Sequence, residues 1–276
     1  MSEIYKKVAI VIPTHKAKLN SDEEISIKCL DRNLNNFDKY IVCPQKIDPI
    51  FDLKKLNTIK FDDKYFDNWL NYNSLLKSQI FWKKFTNYQF ILLYQLDCLV
   101  FRSNIEEWID MNFSFIGPPQ INRKKRKLGF VGNGGFSLRK VNDHLNAIES
   151  NKINFFNFKK QAIKYFSARK RLFYLIKTLA LILIKYFKFR IAKKKSSLKE
   201  TFITYSVYPE DVFWCMFGPI LNNDFTICPP EKAIDFGFES DPRIAYEINQ
   251  NKKPFGCHNW TRYDKVFISG LLNDKL

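Results

Sequence analysis

The feature that most constrains this 276-residue chain is the run FILLYQLDCLVF at residues 90–101, apolar at nearly every position over the length of a strand. A strand that is greasy on both faces must be covered on both, which places it at the centre of a sheet with helices on either side. The neighbouring sequence agrees. Residues 8–13, 40–43 and 58–61 read as strands, 22–34 as a helix and 68–85 as one longer helix. Residues 113–119 read as a further strand stopped by Pro118 and Pro119, and VGNGGFSLRK at 131–140 as a glycine-rich turn entering a strand or short helix. This alternation predicts an α/β fold with a mostly parallel sheet. With 46% hydrophobic and 16% aromatic residues, the chain can bury one large core or two modest ones.

Ligands of open α/β sheets bind outside the carboxyl ends of the strands, so polar residues there are the first candidates for chemistry. They are Thr14, His15 and Lys16 after the first strand, Asp97 in the long apolar run, and Asp62 or Asp63. No GxGxxG follows the first strand and no GxxxxGK[ST] occurs, which argues against dinucleotide-dependent oxidoreductases and P-loop NTPases. Asp97 needs a partner, because a buried unpaired carboxylate costs several kcal/mol. A metal with a diphosphate, a ribose hydroxyl, an arginine or a backbone N–H would each serve. Gly132, Asn133, Gly134 and Gly135 let backbone pass close to a ligand, with Ser137 and Arg139 following; a plain hairpin loop is the alternative. Glu210 and Asp211 open a helix, where one carboxylate suffices for capping and a general base needs one. Of three histidines, His258 lies in PFGCHNW near the end of the chain, which leaves open a mixed His/carboxylate site for Mg²⁺ or Mn²⁺.

The net charge of +17 is concentrated. Residues 151–199 hold fifteen Lys and Arg and no Asp or Glu, leaving the remainder close to neutral. Within that stretch the longest uncharged run, 178–184, is seven residues, far short of the ~20 needed to span a bilayer. On a helical wheel its lysines and its leucine, isoleucine and phenylalanine side chains separate, the pattern of a basic amphipathic helix lying on an anionic membrane surface over residues 165–198. Packing on the core is the structural alternative. Nucleic acid is not the expected partner, because the aromatics follow helical spacing and form no stacking platform. Six scattered cysteines with no CxxC pair fit a reducing cytosol, and the apolar N-terminal stretch is too short for a signal peptide.

YQFILLYQLDCLVF, FIGPP, VGNGGFSLRK, PEDVFW and PFGCHNW, in this order and with the opening VAIVIPTHK, resemble a bacterial glycosyltransferase family encoded with cell-surface polysaccharide genes. The resemblance covers residues 5–145 and about 205–262. It implies a GT-A-like, Rossmann-type mixed sheet flanked by helices in a single catalytic domain over 1–276. Within it, 1–150 would form the nucleotide-sugar-binding half, 151–204 a basic amphipathic helical insertion and 205–276 the acceptor-side part. By this likeness Asp97 stands at the first Asp of a DxD motif, with Leu99 at the second, and His258 completes a Mn²⁺ or Mg²⁺ site. Asp211, beside Glu210, is similar to the base of inverting enzymes. Thr14, Lys16, the 132–135 loop and Ser137 would face the donor. The implied activity is transfer from a nucleotide-sugar, a UDP-sugar, to a hydroxyl of a cell-surface glycan or lipid-linked acceptor, on the cytoplasmic face of the inner membrane. Two rivals differ in class: a non-catalytic membrane-surface or nucleic-acid-binding protein acting through the basic segment, and a metal-dependent nucleotidyltransferase, which needs a denser carboxylate cluster.

Overall fold

The computed structural model describes residues 6–149, Ile184 and 198–272. The expected amphipathic helix over 165–198 lies outside the described residues, Ile184 and Leu198 excepted. The chain divides into two compact units, one formed by Met1–Asp63, Asn87–Val141 and Ile227–Leu276, the other by Lys64–Thr86 and Asn142–Thr226.

All described strands fall in the first unit: β1 (Lys6–Pro13), β2 (Asp38–Pro44), β3 (Leu56–Phe61), β4 (Tyr88–Tyr94), β5 (Leu99–Val100), β6 (Phe115–Ile116), β7 (Pro119–Asn122), β8 (Lys127–Val131), β9 (Phe136–Lys140), β10 (Gly237–Phe238) and β11 (Gly256–Cys257). The main sheet has the order β3-β2-β1-β4-β9-β6. Its first four strands are parallel, while β9 runs antiparallel to both β4 and β6. The sheet is therefore mixed, and less parallel than strand–helix alternation alone predicts, because the glycine-rich loop returns the chain beside β4. Ala9–Ile12 and Ile91–Tyr94 are fully buried at its centre, as a doubly covered strand pair requires. Helix α1 (Ser21–Leu34) opens on a capping box: Asn20 Oδ1 accepts from the Glu23 N–H, and Glu23 returns a carboxylate oxygen to the Asn20 N–H. It buries Ile27, Leu30 and Leu34.

The apolar run that reads as one strand is two. β4 ends at Tyr94, a turn closed by the Cys98 N–H on the Gln95 carbonyl (3.0 Å) takes the chain out of the sheet, and β5 begins at Leu99. The break falls where Gln95 and Asp97 would otherwise enter a fully apolar layer. β5 joins a second, three-stranded sheet of order β10-β11-β5, with β10 and β11 parallel and β5 antiparallel to β11. Leu99, Phe238, Cys257 and Trp260 belong to one apolar cluster at this sheet. The strand expected at 113–119 likewise divides, into β6 and the β7–β8 hairpin.

Among its described residues the second unit is helical. The single helix expected over 68–85 is interrupted: Trp69–Leu76 is capped at Lys77, and Ser78 caps a new turn, Gln79–Trp82, by accepting the Phe81 N–H. Lys77 is buried, donating its ammonium to the Ser206 carbonyl at 2.8 Å; burial pushes its pKa down to about 7 against the opposing charge of Glu210. Trp82 stacks on His144 (centroids 4.0 Å apart) and meets Trp214 edge-on, giving the unit an aromatic core. Among the described residues no helix is long and apolar enough to cross a membrane.

The second sheet depends on a close approach at Gly256. A Cβ there would lie 2.4 Å from Phe136 Cζ and 2.6 Å from the Leu99 carbonyl oxygen. Gly256→Ala is expected to destabilise the protein by ~1–3 kcal/mol, as overpacking does, read as a lower urea midpoint; an unchanged midpoint would contradict this packing.

Candidate functional site

At the carboxyl ends of adjacent strands β1 and β4 lie Thr14 and the Gln95–Cys98 turn. The turn is anchored from three sides. The buried Tyr94 hydroxyl sits 2.8 Å from the Cys98 carbonyl oxygen and 3.0 and 2.9 Å from the carbonyl and Oγ of Ser26 in α1. The Gln95 N–H and the Cys98 thiol both donate to the Gly135 carbonyl, at 2.8 and 3.2 Å. The Trp260 N–H reaches the Asp97 carbonyl at 3.3 Å. The turn has little freedom, so Asp97 leaves it in a fixed direction.

The second sheet then supplies a row of side chains. In the β10/β11 register Phe238 pairs with Cys257, so the next residues, Glu239 and His258, emerge side by side; the His258 N–H donates to the Phe238 carbonyl at 2.9 Å. Cys257 pairs with Leu99 across β11/β5, which brings Asp97 to the other flank of His258. The outcome is carboxylate–imidazole–carboxylate: Glu239 Oε1 lies 3.1 Å from Nδ1, and Asp97 Oδ1 lies 3.4 Å from Nε2. Gln95 Oε1 is also 3.2 Å from Nε2. The second of these carboxylate contacts is an ion pair too long for a full hydrogen bond, and Asp97 Oδ1 is buried with no hydrogen-bond partner.

The glycine-rich loop makes room for this ring. A Cβ on Gly135 would stand 2.1 Å from His258 Nε2, so the imidazole rests against bare backbone. Asn133, buried, accepts the N–H groups of Gly135 and Phe136, both at 2.8 Å, and turns its Nδ2 to His258 Nδ1 at 3.1 Å. The Gly135 N–H expected to face a ligand is thus committed inside the protein. Gly132 is buried and Gly134 half-buried. Ser137 lies within β9, buried, its Oγ accepting from Arg139 Nε at 2.9 Å.

Burial alone would lower the pKa of His258, but the facing carboxylates of Asp97 and Glu239 outweigh it and raise it to about 9. For Asp97 burial works upward, and the imidazole, with a contribution from Lys16, holds the carboxyl below its usual range. Lys16 is itself held by Glu23 (2.6 Å), whose other oxygen closes the α1 capping box. Thr14 is buried; its N–H donates to the Val42 carbonyl and its Oγ1 accepts the Lys16 N–H at 3.0 Å.

Asp97, Cys98 and His258 present ligand atoms within 4.8 Å of one another. Cys98 is the poorest of the three, since burial raises its thiol pKa well above normal and its proton is directed at a carbonyl. The donor set left is one carboxylate oxygen and one imidazole nitrogen, which suits Mg²⁺ or Mn²⁺ completed by phosphate oxygens. Leu99, at the second position of a DxD motif, is fully buried in the apolar cluster and offers nothing to the site.

The fold thus gathers Asp97, Asn133, Gly135 and His258, with Thr14 and Lys16 at the neighbouring strand end. Glu210 and Asp211 belong to the second unit, where they begin the helix Glu210–Leu221; Glu210 is buried and its N–H is accepted by Asn73 Oδ1, while Asp211 is half-buried. Glu239 lies outside every motif, and Gln95, though inside the run FILLYQLDCLVF, is not singled out by it. Strands β10 and β11 are two residues long, too short for alternation to mark their ends.

Fold and site together define a mixed-sheet α/β protein with a polar row built across a small second sheet. The chain belongs to the DUF5672 family, described as proteins of unknown function, whose model matches residues 55–258. No curated protein matches the sequence. Among solved structures, the apo-form glycosyltransferase GlyE of Streptococcus pneumoniae TIGR4 is similar at 10% identity and a TM-score of 0.44; the match covers 98% of this chain, which spans 63% of that one. The galactosyltransferase LgtC, in complex with donor and acceptor sugar analogs, is similar at 10% identity over 96% of this chain and 95% of that one, with a TM-score of 0.45.

The ion pair sets a pH dependence. The pKa of His258 is raised on folding, so the stability it brings is complete below the unfolded value of about 6.5 and disappears as pH rises through about 9. Asp97→Asn should move the imidazole titration of His258, followed by NMR, down toward the ordinary histidine range; a variant still titrating near 9 would show that Asp97 does not hold the proton.

Proposed function

We propose that the protein is a glycosyltransferase that moves a sugar from a nucleotide-sugar, a UDP-sugar, to a hydroxyl of a cell-surface glycan or lipid-linked acceptor. The observation that carries the reading is the buried, unbonded Asp97 Oδ1 facing His258 Nε2 at the strand ends where an α/β sheet binds its ligands. The motif resemblance supports it independently. Asp97 and His258 would hold Mn²⁺ or Mg²⁺, a cation that offsets the charge of a departing diphosphate. Lys16, whose charge already acts on Asp97, would add a second cation for the phosphates by exchanging its Glu23 partner for them, and Thr14 and the 132–135 loop would border the donor. By the motif resemblance Asp211 would take the proton of the acceptor hydroxyl; the hydroxyl oxygen bonds to the anomeric carbon as the bond from that carbon to the diphosphate oxygen breaks, so the anomeric configuration inverts. The basic segment over 165–198 would hold the enzyme on the cytoplasmic face of the inner membrane, near lipid-linked acceptors.

Thermal shift tests the donor site. UDP-sugar with Mn²⁺ should raise the melting temperature, since a ligand at a hundred times its Kd stabilises by about 2.7 kcal/mol, and Asp97→Asn should abolish the Mn²⁺-dependent part. Absence of any shift with UDP-, GDP-, dTDP- or CMP-sugars would sink the reading. Asp211→Asn should keep the shift and lose acceptor-dependent release of UDP; undiminished release would remove Asp211 from the role of base.

A further inference from the structure

Nδ1 of His258 faces contradictory neighbours. Asn133 directs an amide Nδ2 at it from 3.1 Å, and the orientation of that amide is fixed because Oδ1 already accepts two backbone N–H groups. Asn259 Nδ2 is also 3.1 Å away. These are donors and call for a bare lone pair on Nδ1. Glu239 Oε1, at 3.1 Å, is an acceptor and calls for an N–H there. The conflict matters for the other side of the ring. With Nδ1 bare, the single proton of a neutral imidazole sits on Nε2 and points at Asp97 and Gln95, and the ring has no electron pair to offer there. With Nδ1 protonated toward Glu239, the Nε2 lone pair faces Asp97 Oδ1. Asn259 also has Glu239 Oε1 within 3.5 Å, so its amide can turn from the ring to the carboxylate; Asn133 then remains the one donor competing for Nδ1, a neutral amide against the stronger charge-assisted bond to the Glu239 carboxylate.

We infer that Glu239 is a positioning residue that fixes the Nδ1–H tautomer of His258 and thereby opens Nε2, together with Asp97, to a divalent cation. This rests on the cation-binding reading of Asp97 and His258 given above. It follows from the β10/β11 register, which delivers Glu239 beside His258 through backbone pairing and makes the carboxylate a built part of the site. Carboxylates in this relation to a ligating histidine orient the ring and raise its basicity, and their loss typically weakens metal affinity by ~10–100-fold.

The test is Mn²⁺ binding to the full-length protein, read from the EPR signal of free Mn²⁺ with and without UDP, in the wild type, Glu239→Leu, Glu239→Gln and Asp97→Asn. Glu239→Leu should bind ~10–100-fold more weakly. Glu239→Gln, which retains an acceptor oxygen, should recover most of that loss, a rescue that a space-filling role would not produce. Asp97→Asn should bind no Mn²⁺ at the site. Wild-type affinity in Glu239→Leu, with binding lost in Asp97→Asn, would overturn the role of Glu239 and leave the cation site standing. No binding by the wild type under either condition would overturn both. Should the leucine variant fail to fold, ¹⁵N NMR of the wild-type imidazole with Mg²⁺ and UDP decides: a protonated Nδ1 and bare Nε2 are expected, and the reverse tautomer refutes the proposal.

Discussion

The contact between the imidazole of His258 and the bare backbone of Gly135 governs the arrangement around it. With a Cβ only 2.1 Å from Nε2 excluded, the ring can lie flat against the loop and reach Asp97 on one edge and Glu239 on the other. The loop must in turn be rigid enough to be packed against, and Asn133 makes it so by accepting two successive N–H groups. The Gly135 carbonyl, on the far side of the same residue, holds the turn that carries Asp97. One residue without a side chain therefore links the histidine, the aspartate and the end of the central strand.

Two sheets meet at this point for a physical reason. A single strand through residues 90–101 would bury Gln95 and Asp97 in an apolar layer without partners. Turning at Gln95–Cys98 instead releases two residues, Leu99 and Val100, to pair with β11. That small sheet brings His258, distant in sequence, alongside Asp97. Backbone hydrogen bonding fixes the register and apolar packing of Leu99, Phe238 and Trp260 fixes the layer, so the polar row inherits precision from groups that take no part in chemistry.

The sequence makes part of this legible. Asp97 stands out as a carboxylate in an apolar run and His258 by its place in PFGCHNW, and the four parallel strands of the main sheet follow from their apolar runs. The glycine-rich loop is also evident, though its main work is internal: Gly135 accommodates a ring, and its N–H serves Asn133. Glu239 is illegible, because GFES looks like any loop until β10 is paired with β11. The stop at Lys77 is equally hidden. DNWLNYNSLLKSQIFWKKF keeps helical spacing throughout, and only the tertiary bond from the Lys77 ammonium to Ser206 and the cap at Ser78 show that the helix is interrupted there.

Leu99 is where the sequence departs most clearly from a DxD motif, and the fold accounts for the departure. In β5 this position pairs with Cys257 and points into an apolar cluster with no exposed surface. A carboxylate there would be buried without a partner, at a cost of several kcal/mol. A second carboxylate from the same strand is thus incompatible with this packing. Any cation held by Asp97 must draw its next protein ligand from a neighbouring strand, and β11 presents His258 at that place, with Glu239 behind it to set the proton. On the proposed reading, the leucine marks a site whose ligands are assembled across strands, with the apolar position preserving the sheet that aligns them.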